Sequence, residues 1–187
     1  MQFGSGETMD DVWQSLRPHW TRVELDRRRR LLEAGAISRQ LYVVESGCLR
    51  LWYNADGRDV TVQFFTDGMA VSSFESLLKE VPSLFTIEAV VATIVRVVDK
   101  DTLLNHWRMS PDFQRALVDL LFGRLADYQR LFLDRIANSA QQRYVELCER
   151  APGLVDRVPQ HFIASYLGIT PVSLSRIRKR VKADNKR

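Results

Sequence analysis

Strand-like and helical segments are segregated along this 187-residue chain, and no other feature constrains its fold as much. Through the middle of the chain, short runs rich in Val, Ile, Leu and aromatic residues alternate with turn residues. After Pro111, apolar residues instead recur every three or four positions, as they do along a helix. This order predicts an α+β fold that begins with a barrel, a sandwich or a roll and ends in helices.

Four strands are predicted in the first part of the chain, over residues 41–45, 48–53, 60–65 and 86–98. Turns that contain glycine separate the first three of them. A short helix is expected over residues 9–16 and ends near Pro18.

A long helix is predicted from residue 112 to residue 140, where no proline interrupts the apolar spacing. Its apolar stripe is wider than a single partner covers. One face is therefore expected to pack on the β domain and another on the same helix of a second chain. The alternative is that the whole stripe packs within one chain. A shorter helix follows over residues 141–150.

The composition is that of a globular protein, with 45% hydrophobic and 27% charged residues. Cys48 and Cys148 are too few for a disulfide scaffold or a four-cysteine metal site, and we expect them to be small core residues. The N-terminus lacks the pattern of a signal peptide, and no segment is apolar enough to span a membrane. A cytoplasmic location is therefore expected.

The net charge of +4 is unevenly distributed. Residues 143–187 carry ten Lys and Arg against four Asp and Glu, whereas the rest of the chain has a small acidic excess. Phosphate neutralisation needs clustered basic residues, so this end suggests a polyanion-binding module, with a solvated tail as the alternative. A second basic run, Arg27 to Arg30, is expected ahead of the first strand as a solvated face. Approach to DNA or to a partner is its other interpretation.

The segment from Pro159 to Lys182 carries the most specific signal in the sequence. Pro159 fits the first turn of a helix, and Gly168 fits a left-handed residue that ends it. Thr170 and Pro171 then fit the cap and the first position of a second helix. The apolar positions are Ile163, Ala164 and Leu167 in the first helix and Leu174, Ile177 and Val181 in the second. Two helices joined by a short turn with glycine predict a helix-turn-helix.

The residues that face away from the apolar side of the second helix are mostly polar or basic. The N-terminal part of such a helix meets base edges in the major groove, and Arg176 suits a bidentate contact with guanine. We expect the base-reading residues to be Val172, Ser173, Ser175 and Arg176. Phosphate contacts are assigned to Gln160, Thr170, Arg178, Lys179, Arg180 and Lys182. A plain αα-hairpin is the alternative.

Three segments of the chain resemble the Crp/Fnr family of bacterial transcription regulators. They are LYVVESGCLRLWY (41–53), SAQQRY (139–144) and RVPQHFIASYLGITPVSLSRIRK (157–179), and the resemblance extends over nearly the whole chain. It implies a cyclic-nucleotide-binding-type β-roll of jelly-roll-like form, a long dimerisation helix and a C-terminal helix-turn-helix. It also implies a homodimer that binds an inverted repeat in double-stranded DNA, and it leaves RNA polymerase open as a further partner.

The resemblance divides the chain into three parts. They are a β-roll sensor domain over residues 1–110, a dimerisation helix over 111–138 and a DNA-binding domain over 139–187. The dimer interface is assigned to Leu117, Leu121, Leu125, Tyr128 and Phe132. The chain ends soon after the second helix of the motif, so no β-wing is expected. Val172 stands where the family often has glutamate, so the resemblance does not indicate which half-site this chain prefers.

In nucleotide-binding members of the family, a Gly-Glu pair and a later Arg-Ser or Arg-Thr pair hold the effector. The best match here is Phe74-Glu75 followed by Phe85-Thr86, which the resemblance makes a degenerate effector pocket. Phenylalanine replaces both the glycine that lets the backbone approach a ligand and the arginine that binds a phosphate. We therefore expect no binding of cyclic AMP and predict no cofactor. Haem, which needs only one or two axial ligands, stays open.

Two functional classes follow from the sequence. The first is a transcription regulator that binds DNA. The alternative is a module that senses a cyclic nucleotide or another small molecule and whose terminal helices mainly bind protein. Basic residues on the second helix favour DNA, because the cores of protein interfaces are depleted in lysine. No enzyme is expected, because the sequence has no nucleophile elbow, P-loop or dinucleotide-binding fingerprint.

Overall fold

The structure is a computed structural model that describes residues 16–184. Apart from Leu16, the helix expected over residues 9–16 lies outside the described residues. The strands are β1 (Thr21–Leu25), β2 (Arg30–Leu32), β3 (Gln40–Ser46), β4 (Leu49–Ala55), β5 (Arg58–Phe65), β6 (Ala70–Val71), β7 (Thr86–Ala89) and β8 (Thr93–Asp99). The helices are α1 (Phe74–Lys79), α2 (Lys100–Met109), α3 (Pro111–Ala137), α4 (Ala140–Arg150), α5 (Leu154–Arg157), α6 (Gln160–Leu167) and α7 (Pro171–Asp184).

The β domain consists of two four-stranded antiparallel sheets, with strand orders β1-β8-β3-β6 and β2-β7-β4-β5. Inward-facing residues of both sheets form one apolar core, which includes Leu25, Tyr42, Leu49, Phe65, Ile87 and Val95. The expected α+β class and the β-roll are confirmed.

Two of the places where the chain crosses between the two sheets lie next to each other. Residues 86–98, predicted as one strand, are β7 in one sheet and β8 in the other. The strands β3 and β4 also belong to different sheets and are joined at Gly47. A Cβ atom added to Gly47 would lie 2.7 Å from backbone atoms of Ala92 and Thr93, and the Thr93 hydroxyl accepts a hydrogen bond from Cys48 N at 3.1 Å. The two crossings therefore pack directly against each other.

Several short elements escape the sequence prediction. The strands β1 and β2 precede the first predicted strand, so Arg27 to Arg30 form a turn within the sheets and the start of β2 rather than a segment ahead of them. Strand β6 and the helices α1, α2 and α5 are also missing from the prediction. Each of these elements is too short or too polar to show a clear hydrophobic period.

Helix α3 corresponds to the predicted long helix. It begins with Pro111, whose missing N–H group is not needed in a first turn. It ends at Ala137 rather than at residue 140, because Ser139 and Gln142 form a capping box that starts α4. None of the helices within residues 16–184, α3 included, has the length and apolarity to cross a membrane.

The first half of α3 packs on the β domain of its own chain. Phe113 and Leu117 are buried there, so Leu117, which the sequence assigned to the dimer interface, lies in an intramolecular core. Arg124 is also buried: it donates a hydrogen bond to the carbonyl of Ala70 at 2.7 Å and lies 5.0 Å from the ring centroid of Phe65. Burial lowers the pKa of Arg124. These contacts anchor α3 to the roll.

We predict that Gly47→Ala lowers the free energy of unfolding by about 2–4 kcal/mol, since the added Cβ collides with backbone and an L side chain is strained at this φ of +106°. Chemical denaturation followed by circular dichroism measures the change. Gly57→Ala is the matched control, because its φ of +83° is also left-handed but no atom lies within 4 Å of the added Cβ. The control should cost about 1–2 kcal/mol. Equal losses in both variants would contradict the role of the packed crossings.

Candidate nucleic-acid interface

Helices α6 and α7 form the helix-turn-helix that the sequence predicts. Pro159 occupies the N-cap position of α6, just before the first turn where the sequence placed it, and makes no side-chain cap. Gly168 ends α6 with a left-handed φ of +67° and a hydrogen bond from its N–H to the carbonyl of Ser165 at 3.1 Å. The hydroxyl of Thr170 then accepts a hydrogen bond from Ser173 N at 3.2 Å and caps α7. Local chemistry therefore sets the angle at which α7 leaves the turn.

Helix α7 buries one face and exposes the other. Leu174 is fully buried, and its neighbours in the motif are Ile163, Ala164 and Leu167. The exposed members of the expected base-reading set are Val172, Ser175 and Arg176. Ser173 is half-buried, and its hydroxyl lies 3.1 Å from the hydroxyl of Thr170 within the cap. Three of the four side chains are thus free to meet a groove.

The residues assigned to phosphate contacts fall into two groups. Those with exposed side chains are Gln160, Thr170, Lys179, Arg180 and Lys182. Arg178 is half-buried and lies 3.9 Å from a carboxylate oxygen of Asp156 in α5. The exposed group provides hydrogen-bond donors at the start of α6 and along α7. Arg178 is directed toward its own domain.

The helix-turn-helix packs on the β domain through a shared apolar cluster. Cys48, Phe64 and Val90 of the roll belong to the same cluster as residues of the last four helices, which include Tyr144, Leu147, Leu154, Phe162 and Ile163. The Ser165 hydroxyl in α6 accepts a hydrogen bond from Thr61 N at 2.9 Å and donates one to the carbonyl of Asp59 at 2.6 Å. Apolar packing and hydrogen bonds therefore both hold α6 against β5.

Arg50 lies at this contact and is 2% exposed. Its guanidinium forms ion pairs with Asp59 at 3.1 Å and Glu88 at 3.2 Å. The same group lies 3.8 Å from the ring centroid of Phe162 in α6 and 4.7 Å from that of Trp52. Cation–π contacts are stronger when the cation is desolvated, so Arg50 links the sheet to α6.

Sequence reasoning missed the residues that join the two domains. These residues are Arg50 and Ser165. Within the terminal helices, sequence reasoning also missed Arg143 in α4, which donates a hydrogen bond to the carbonyl of Leu167 at 2.8 Å. A signal for Arg50 was present, since it is the one charged residue in the apolar run 48–53. Nothing in the sequence around Ser165 or Arg143 points to these contacts, because their partners are distant along the chain.

A cavity of about 300 Å³ adjoins Arg50 and opens between the β domain and α6. Arg28, Arg30 and His161 are among the residues that line it. Partial burial lowers the pKa of His161, and the positive charges of Arg50, Arg27 and Arg28 lower it further. The arginine turn between β1 and β2 is therefore a neighbour of the first helix of the motif.

The residues of the expected effector pocket have partners within the chain. Glu75, near the start of α1, is exposed and ion-paired with Lys79 at 3.0 Å. Phe74 and Phe85 are half-buried against apolar clusters, and Thr86 is buried with its hydroxyl 3.1 Å from a backbone N–H that donates to it. Neither the cavity beside Arg50 nor a smaller one of about 130 Å³ between β5 and α4 includes these residues.

Buried serine side chains around α1 also satisfy one another. The Ser83 hydroxyl donates a hydrogen bond to that of Ser73 at 2.9 Å, and the hydroxyls of Ser38 and Ser72 lie 3.1 Å apart. The Ser76 hydroxyl accepts a hydrogen bond from Ser38 N at 2.8 Å. The polar groups of this region are thus engaged within the fold.

The histidines and cysteines of the described residues do not form a metal site. His19 and His106, far apart in the sequence, lie with their ring centroids 5.0 Å apart. Residues 16–184 nevertheless contain no group of three His, Cys, Asp or Glu side chains that could hold a metal ion. Cys48 is buried in the core as expected, and burial raises the pKa of its thiol to about 12.

The second half of α3 exposes much of its apolar stripe. Among the expected interface residues, Leu125 and Phe132 are more than half exposed, Tyr128 is exposed and Leu121 is half-buried. Further side chains that are more than half exposed are Phe122, Leu133 and Ile136. Monomeric proteins seldom expose contiguous apolar patches of this kind, so this part of α3 is suited to packing on a partner surface.

Comparison with known proteins agrees with this architecture. The sequence profile of the cyclic nucleotide-binding domain matches residues 22–108. No curated protein matches the chain. Similar solved structures include FixK2 from Bradyrhizobium japonicum, which is 20% identical with a TM-score of 0.77 over 89% of this chain and 86% of that chain.

Two further structures share the arrangement. The global regulator CLP from Xanthomonas campestris, described as responsive to c-di-GMP, is 18% identical with a TM-score of 0.73 over 93% of this chain and 92% of that one. A CooA mutant from Carboxydothermus hydrogenoformans is 17% identical with a TM-score of 0.69 over 96% and 86%. Residues 22–108 are therefore similar to the cyclic nucleotide-binding domain, and the chain as a whole, terminal helices included, shares the fold of these solved structures.

Proposed function

We propose that this chain is a sequence-specific DNA-binding transcription regulator that acts as a homodimer on an inverted-repeat operator. The observation that carries the proposal is the outer face of α7, where Arg176 and its neighbours are exposed while Leu174 is fully buried on the inner face. A recognition helix has to present its N-terminal side chains to base edges in the major groove, and α7 has this form.

Each exposed side chain of α7 has a role in this function. Arg176 would bind guanine O6 and N7 with both donors of its guanidinium, and Val172 would contact a thymine methyl group. Ser175 would hydrogen-bond a base or a phosphate. Lys179 and Arg180 would neutralise phosphates and so contribute affinity without sequence preference.

The homodimer is supported by the exposed half of α3. Two chains related by a two-fold axis would bury this apolar stripe against its copy and place the two α7 helices about 34 Å apart, one turn of DNA. We accordingly assign sensing to residues 1–110, dimerisation to 111–138 and DNA binding to 139–187.

A second candidate function is the sensing of a small molecule, which the match of residues 22–108 to the cyclic nucleotide-binding domain favours. In this function, a ligand of the β domain would act on the terminal helices through the contact between β5 and α6. The two functions are compatible in one regulator. Only the sensing function would remain if the terminal helices bind protein instead of DNA.

Selection of bound sequences from a random duplex pool tests the proposed function. The expected result is an inverted repeat whose half-site centres are about 34 Å apart. A pool that stays random through repeated selection would contradict recognition of DNA and favour a protein-binding role for the terminal helices.

We predict that Arg176→Ala weakens binding to the selected site by about 1–3 kcal/mol and relaxes the preference at one base pair in each half-site. Lys179→Ala should weaken binding to all sequences alike and make the salt dependence shallower. Fluorescence anisotropy on specific and random duplexes over a range of salt concentrations measures both effects. If both variants lose affinity for specific and random DNA equally, Arg176 is not the base reader.

The exposed half of α3 leads to a prediction about assembly. Leu125→Glu or Phe132→Glu should shift the protein toward monomer, because a charge would be buried in the dimer contact. Operator affinity should then fall by about 10²–10⁴-fold, since the two half-sites no longer bind together. Arg130→Glu, on the opposite face of the helix, is the control. If analytical ultracentrifugation finds an unchanged dimer, Leu125 and Phe132 do not lie in the interface.

The effector region leads to a prediction about ligands. Cyclic AMP and cyclic GMP should not bind with micromolar affinity, because Phe85 cannot replace a charge-assisted phosphate contact that contributes about 2–5 kcal/mol. Isothermal titration calorimetry decides the question. Micromolar binding of either nucleotide that Glu75→Ala abolishes would show that this pocket retains its ligand.

A further inference from the structure

Three neighbouring arginines, Arg27, Arg28 and Arg29, occupy the turn between β1 and β2. Arg27, Arg28 and Arg29 are exposed, and none of them pairs with a carboxylate of residues 16–184. The next residue, Arg30, differs, because it lies 3.5 Å from a carboxylate oxygen of Glu33. The run of four arginines therefore consists of Arg30, which has an ion pair with Glu33 just after β2, and three residues whose side chains are exposed for contact with a partner.

Backbone hydrogen bonds hold this turn in place. Arg28 N donates to the carbonyl of Ala89 at 2.7 Å, and Ala89 N donates to the carbonyl of Arg29 at 2.9 Å. Arg29 N also donates to the carbonyl of Asp26 at 3.0 Å, and Arg28 has a left-handed φ of +69°. The three guanidinium groups thus extend from a fixed backbone, which reduces the ordering cost of a contact with a partner.

The turn also lies beside the first helix of the DNA-binding motif. Arg28 and Arg30 line the cavity that His161 of α6 also lines. The charges of Arg27 and Arg28 are close enough to lower the pKa of His161. The β domain therefore brings the arginines to the N-terminal end of α6, where the exposed side chain of Gln160 is also found.

In a helix-turn-helix, the second helix enters the major groove while the first helix crosses the DNA backbone. A surface next to the start of α6 is consequently next to phosphates when α7 is in its groove. Arginine suits such a position because its planar guanidinium can bind a phosphate with two parallel hydrogen bonds.

We propose that the turn formed by Arg27, Arg28 and Arg29 is a second DNA contact, through which the β domain neutralises phosphates beside the base pairs that α7 reads. The contact is with the backbone of the duplex and not with bases, because the turn contains no helix or pair of strands that could enter the major groove. The inference rests on the proposed function, since it requires α7 to bind DNA first.

The test compares two charge-matched triple variants of the full chain. Arg27→Gln/Arg28→Gln/Arg29→Gln removes the three charges of the turn. Lys79→Gln/Arg108→Gln/Arg115→Gln removes the same charge from exposed positions on α1, α2 and α3. Affinity for the selected operator is measured over a range of salt concentrations, and ethylation interference identifies the phosphates that the protein touches.

The turn variant should bind with a shallower salt dependence than the control variant. The slope of log affinity against log salt should fall by about 0.9 for each phosphate that the turn no longer neutralises. Raising the salt from about 50 to about 200 mM lowers the affinity of the native protein for the operator. In the turn variant, this fold-decrease should be smaller by a factor of about 3.5 for each such phosphate. In the turn variant, ethylation interference should disappear at certain phosphates, and these should not be the phosphates that Lys179→Ala affects. The base preference of the turn variant should equal that of the native protein.

Other outcomes would overturn the inference. If the turn and control variants share one salt slope while Arg176→Ala still relaxes base preference, the turn is not a DNA contact and the proposed function stands. If the native chain selects no sequence from the pool, the proposed function and the DNA contact of the turn are both wrong. If the triple variant does not fold, the single variants Arg27→Gln and Arg29→Gln replace it, because they leave the left-handed position Arg28 intact. An unchanged salt slope in both single variants would reject the contact.

Discussion

The arrangement of this protein depends on the corner where the chain crosses twice between its two sheets. Gly47 and the segment that ends at Thr93 approach so closely that a Cβ atom at Gly47 would lie 2.7 Å from backbone atoms. The neighbours of these crossings, Cys48 and Val90, belong to the apolar cluster that receives the helix-turn-helix. One close contact therefore both closes the roll and forms part of the surface on which the terminal helices pack.

Arg50 gives that packing its specificity. A buried ion pair seldom adds much net stability, because the desolvation of two charges opposes their attraction. Removing one partner is costly, however, and the guanidinium of Arg50 pairs with Glu88 and Asp59 in the same position in which it contacts the ring of Phe162. The pair therefore favours one placement of α6 on the sheet. It also connects the β domain to α6, the first helix of the helix-turn-helix.

Local sequence signals determined the helix-turn-helix and the long helix. A left-handed residue at Gly168, a hydroxyl cap at Thr170 and a proline at the start of α3 each act within a few residues, so spacing alone predicts them. The exposed face of α7 follows from helical geometry for the same reason. These features sufficed to predict the exposure of Val172, Ser175 and Arg176, whereas the tertiary contacts half-bury Ser173 and Arg178.

Only the tertiary structure decided which surface each apolar face meets. The division of residues 86–98 into two strands depends on the distant Gly47 crossing, and the burial of Leu117 depends on the roll beneath α3. The place of the arginine turn beside α6 likewise comes from β5 and its contact with Ser165. Hydrophobic periodicity reports that a residue is buried but not what buries it, because the partner lies far away along the chain.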